Sequence, residues 1–194
     1  MNIAVFFGRA WRWARWPLLV VILGYVALAT WGVFLRFDMD KTDAAVAQIH
    51  AQKITLADVM GDTLIKIPDQ AENDATVAGL DTNNNGIRDD VEIAIFKKYP
   101  NSAKIRAAEL QYAMAEQMYL TRVFNTGTWK AVAEEVSRAH LCVLEVGANR
   151  KEVEAWTSNT QLRKETRTKA FEFITTHGDA PGKPCDVDIS TLPN

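Results

Sequence analysis

The sequence predicts an all-α protein, with a single N-terminal transmembrane helix followed by a helical domain that one oxygen-rich loop interrupts. Three observations lead there. Residues 17–35 form an uncharged, mostly apolar run of 19 residues. Beyond position 89, apolar residues recur three and four apart, the period of a helix face. Between them, residues 81–92 set oxygen-bearing side chains on alternate positions around a glycine.

The apolar run comes first in the chain. As a helix it would be roughly 28 Å long, close to the ~30 Å of a bilayer core. Arg9, Arg12 and Arg15 precede it, and the first 37 residues hold no acidic residue. Trp11, Trp13 and Trp16 stand at one end, and Trp31 and Phe37 at the other, where aromatic belts form. The arginines are expected to stay in the cytoplasm, which places the rest of the chain outside as the extracytoplasmic domain of a single-pass cell-membrane protein. A cleavable signal peptide is the rival, because Ala27-Leu28-Ala29 fits a peptidase site with cleavage after Ala29. The apolar character continues through Leu35, which favours a retained anchor.

Four of the 22 basic residues lie in the first 37, and all 24 acidic ones lie beyond, so the remainder carries a net charge of −6. That balance argues against nucleic acid, whose recognition needs a basic surface. The expected divisions are an N-terminus and anchor over 1–37, a juxtamembrane helix and irregular linker over 38–80, the loop and a helical bundle over 81–178, and an irregular tail over 179–194. Residues 40–53 read as a helix that either stands alone or continues the membrane helix as a stalk. Residues 54–67 stay ambiguous. Thr55 with Asp58 resembles a helix-starting pair, whereas Ile54, Leu56 and the run Leu64-Ile65-Lys66-Ile67 suit short strands.

The loop has the chemistry of a calcium site. Ca²⁺ takes six to eight oxygens from a flexible, tightly wound segment. Asp81, Asn83 and Asn85 supply oxygens that can turn inward together, and Gly86 permits the sharp turn. The main-chain carbonyl of Ile87 is the next ligand, Asp89 stands at a direct or water-mediated position, and Glu92 at the bidentate closing position. An Asn/Gly-rich turn before an N-capped helix is the simpler reading, but it does not require both Asp89 and Glu92. These twelve residues resemble an EF-hand loop, except that Arg88 stands where such loops carry an apolar residue that pairs with a second loop. In that respect they are more similar to dockerin and thrombospondin type-3 loops. The resemblance implies calcium binding at the positions named and nothing further. Arg88 is expected to offset part of the loop's negative charge.

After the loop, helices are expected over 89–98, about 102–124, 129–146 and from Asn149 to Gly178, the last with a solvated stretch or a break near residues 163–169. The second is apolar on two faces, through Ile105, Ala108, Tyr112 and through Leu110, Met114, Met118, which marks it as central. Cys142 and Cys185 are the only cysteines, and export places them where disulfides persist, so a bridge is expected to staple the Pro-rich tail to the bundle. One buried and one idle thiol is the alternative.

No nucleophile, phosphate-loop or dinucleotide motif is present. Glu134, Glu135 and Glu145 read as a wet helix face, with Arg138 paired to Glu134. Glu109 and Glu116 read as solvated carboxylates, with a glycosidase-like role open only if they meet in a cleft. The expected function is therefore a non-catalytic binding or scaffolding module of the cell envelope with a structural Ca²⁺, for which an envelope protein is the expected class of partner. A cell-envelope hydrolase using helix carboxylates is the alternative. The chain as a whole resembles exported bacterial proteins of no assigned activity, which implies no reaction.

Overall fold

The computed structural model of the chain describes residues 3–62, 66–179 and 182–194, with side chains from Trp16 onward. The described residues are helical, and no strand occurs among them. Leu64 and Ile65, half of the strand alternative, lie outside the described residues, while Lys66 and Ile67 have no regular structure. Two units divide the chain, 1–43 and 44–194.

From Ile3 onward the first unit lies within helix α1 (Ile3–Ala51). Its side chains from Trp16 to Asp40 are all exposed, including Leu23, Tyr25, Leu28 and Phe34. A helix that is apolar all round and uncovered by its own chain is suited to hydrocarbon surroundings. Thr30 satisfies its hydroxyl internally, donating to the carbonyls of Val26 and Ala27 at 2.9 Å. The helix is unbroken across Ala27-Leu28-Ala29. Its length and composition suit a membrane anchor or a signal sequence.

The second unit begins with the last turns of α1, where Ile49 is buried. The expected helix over 40–53 is therefore the end of α1, which stops at Ala51, rather than a separate helix. The Thr55/Asp58 pair then starts α2 (Leu56–Met60) with a reciprocal capping box. A second short helix, α3 (Gln70–Asp74), is capped by Asp69. The long segments follow as α4 (Asp89–Lys98), α5 (Ala103–Thr121) and α6 (Thr126–Glu145). Ser102 and Asn125 accept from the backbone N–H groups of Ile105 and Thr128, capping α5 and α6.

α5 is the axis of the unit. It packs on α2, α4, α6, α7 and α8, and every residue from Arg106 to Leu120 is buried. Leu110, Met114, Val132, Val143 and Ile95 are almost wholly inaccessible and form the middle of the core. Truncating one such side chain to alanine typically costs about 2–5 kcal/mol.

Three expectations change. The final predicted helix is two, α7 (Lys151–Thr157) and α8 (Gln161–Ala170), because Thr160 caps a new start; the break precedes the charged stretch. Arg138 pairs with Glu135 at 2.6 Å rather than with Glu134, and Glu135 is buried, not wet. The tail is also part of the body. Cys142 and Cys185 are joined by a disulfide, Asp186 pairs with Arg138 at 2.7 Å, and Leu192 is buried over a 3-10 turn at Ile189–Thr191.

Candidate metal loop

The chain winds into the loop for reasons visible in its hydrogen bonds. Asp81 accepts from the backbone N–H groups of Asn85 at 3.1 Å and Gly86 at 2.9 Å, pulling the turn over its carboxylate. Asn83 and Asn85 each accept from the N–H two residues on, at 3.4 and 2.9 Å, so each makes an Asx turn. Asn84 and Gly86 take positive φ, 56° and 85°. A Cβ at Gly86 would also stand 1.7 Å from the Gln52 amide nitrogen, so the end of that side chain would have to move. The Asp89 N–H donates to the Leu80 carbonyl at 2.8 Å, drawing the two ends of the loop together.

The predicted residues are not equivalent. Glu92 is wholly buried and accepts from the side-chain amides of Asn83 at 3.1 Å and Asn85 at 3.2 Å. Burial pushes its carboxyl up to about 7, and the charges of Asp58 and Asp89 add to that against the two amide bonds. Burial raises Asp81 as well, opposed by the N–H groups it accepts from. Asp89 is buried with both oxygens on Thr82, at 2.9 Å to the N–H and 2.7 Å to the hydroxyl. The Ile87 side chain is fully buried in the core. Asp81, Asn83, Asn85 and Glu92 are thus gathered, and Asp89 closes the loop through Thr82.

One participant was missed. Asp58, at the start of α2, is buried, accepts from the Asn85 amide at 3.4 Å, and adds its charge to that felt by Glu92. The capping pair with Thr55 was readable, but nothing in the spacing linked it to a loop more than twenty residues on. Within the loop, the carboxylate that Arg88 meets is Asp90; its fully buried side chain also reaches the end of α7.

Among the described residues no three His, Cys, Asp or Glu side chains form a metal-binding group by themselves. A cation here would need the Asn amides and the Ile87 carbonyl as well. Glu109 and Glu116 are buried, contrary to the solvated reading. Glu116 accepts from Arg167 at 2.8 Å and Tyr112 at 3.2 Å. Neither lines the surface cavities of about 400 Å³ at α7–α8 or about 500 Å³ beside Ile189. Compared with known proteins, the chain matches no family model, no curated protein and no solved structure.

Proposed function

We propose that the protein is a membrane-anchored, extracytoplasmic binding or scaffolding module of the cell envelope whose loop at 81–92 holds a structural Ca²⁺. The observation that carries the metal reading is the setting of Glu92. A wholly buried carboxyl faces two asparagine amides within Coulombic reach of Asp58 and Asp89. Burying like charges together is costly unless a cation or protons neutralise them. Asp81, Asn83, Asn85, Glu92 and the Ile87 carbonyl would hold the ion, with Asp89 reached directly or through water. An asparagine carbonyl has two lone pairs, so it can keep its Asx turn and still face a cation. The ion would supply charge neutralisation and fix the segment before Leu80 against α4.

The setting outside the membrane is supported by Arg9, Arg12 and Arg15 before the apolar run and by the Cys142–Cys185 bridge, which suits an oxidising compartment. An unpaired loop with two asparagine ligands belongs in the weak range of extracellular modules, about 10⁻⁴–10⁻³ M. At ten times its dissociation constant the ion would stabilise the fold by roughly 1.4 kcal/mol. Melting curves in chelator and in 10 mM calcium test this. A rise that magnesium reproduces less well supports the site; identical curves return the loop to an ordinary turn.

A further inference from the structure

Arg88 occupies the loop position at which paired calcium loops usually dock on one another, and its destination here is α7. Its guanidinium donates to the carbonyls of Trp156 at 2.7 Å and Thr157 at 3.1 Å, the last two residues of that helix. Those carbonyls lack intrahelical partners, and the cation also meets the negative end of the helix. Asp90 holds the guanidinium from the other side, at 2.5 Å to Nε and 3.0 Å to an Nη. α7 is only seven residues long, too short to persist without such docking. The stem of Arg88 passes directly over Gly79, where an added Cβ would lie 2.2 Å from its Cδ. The missing Cβ at Gly79 thus leaves room for the stem, and Asp90 braces the head.

A second buried arginine runs the other way. Arg163 of α8 donates to the carbonyls of Asn73 at 2.5 Å, Thr76 at 3.2 Å and Val77 at 3.2 Å, and pairs with Asp74 at 2.6 Å. Gln117 of α5 takes the next carbonyl, that of Ala78, at 2.8 Å. The segment leading into the loop is thus held by α8, and the loop in turn holds α7.

Resting on the calcium reading above, we propose that the loop is coupled to the α7–α8 pair, so that a cation held at 81–92 orders α7 through Arg88. The Arg88 side chain is a positioning group and not a ligand. Its main chain lies between two proposed ligands, Ile87 and Asp89, so tightening the loop restrains the point from which the guanidinium reaches α7. Loosening the loop frees the two α7 carbonyls together. Energetic coupling of this kind needs a shared element that both states bias, and the Arg88 anchor is that element.

Hydrogen exchange on the full chain in detergent, with calcium binding followed in parallel by calorimetry, tests the coupling. In the wild-type protein at calcium ten times the measured dissociation constant, amides of the loop and of α7 should slow together by up to about tenfold relative to chelator. In Arg88→Leu, which keeps every proposed ligand, the loop amides should still slow while those of α7 stay fast and indifferent to calcium. Asp90→Asn, which leaves the arginine in place but weakens its brace, should fall between the two and serves if Arg88→Leu fails to fold. Calcium binding by calorimetry with no slowing in α7 would overturn the coupling while leaving the metal site standing. Equal slowing of α7 in wild type and in the folded variants would overturn the role of Arg88. No heat of binding at any concentration would remove the metal reading, and the coupling with it.

Discussion

The Asn85 side chain donates one amide proton set to two carboxylates, Glu92 at 3.2 Å and Asp58 at 3.4 Å. It thereby bridges the loop to α2. Its carbonyl meanwhile holds the Ile87 N–H at 2.9 Å.

That bridge gives a mutational prediction. Glu92→Gln removes a buried charge flanked by Asp58 and Asp89, so in chelator the variant should melt as high as the wild type or higher. Its calcium-dependent rise should vanish, as should that of Asp81→Ala, whereas Glu109→Gln should keep it. Thermal melts of the three variants with and without calcium check the pattern. A full calcium shift in Glu92→Gln would place the ion elsewhere.

Glu109 gives a pH prediction. It is buried on α5 with neither oxygen hydrogen-bonded to a side chain. Burial pushes its carboxyl up to about 7; Lys98 on α4 and the Asn149 N–H pull it down, and Glu152 on α7 pushes it up. A folded-state value above the ordinary 4.5 means that the folded state holds the proton more tightly. The stabilisation is fully present below about 4.5 and is lost as pH rises through about 7. Glu109→Gln should therefore gain on the wild type by up to roughly 3 kcal/mol between pH 5 and pH 8. Denaturant titrations of both proteins across that range, in chelator throughout, measure the difference; parallel pH profiles would show that Glu109 is ionised and paired.

The bridge between Cys142 and Cys185 gives a stability prediction. It spans 43 positions, and loop closure of that length is worth about 4 kcal/mol on the chain-entropy model. The residues it brings in are structural, since Asp186 also accepts from the Ile54 N–H at 3.1 Å and Gln111 donates to the Pro184 carbonyl at 2.8 Å. Cys185→Ser should lower the melting temperature of the whole helical unit. A variant whose melt is unchanged, with faster exchange only beyond residue 178, would make the bridge a local tether.

The orientation of the chain is checked in cells. With the arginines inside and the anchor retained, external protease should remove the helical unit and leave the first residues protected. Intact mass decides between anchor and signal sequence: a mature chain that starts at Thr30 has been cleaved after Ala29.

The sequence was informative where local rules decide the outcome. The two apolar faces of α5 made it central, and Gly86 was readable as a turn requirement. It misled where charged residues are buried by distant partners. Glu135 looks like a solvated helix residue until His50 at 2.8 Å, Lys53 at 2.9 Å and Arg138 close over it. Arg88 and Arg163 carry the same lesson: besides a carboxylate each, they take main-chain carbonyls 68 to 90 positions away that no side-chain pattern encodes. Asp58 was legible as a cap, but its second oxygen faces the loop only because α2 packs on α5.

The placement of Asp186 also sets an order of events in time. Arg138, on α6, finds this partner 48 positions later, and Ile54 waits 132 positions for the same carboxylate. At synthesis rates of roughly 5–20 residues per second, several seconds separate the emergence of Arg138 from that of Asp186. During that interval the buried acid–base cluster around Glu135 is one carboxylate short, and Cys142 has no sulfur to oxidise onto. The helices can form as they appear, but the unit can close only after residues 185–192 have arrived. In this order of synthesis the disulfide and the Asp186 pairs are the last contacts that the unit can complete.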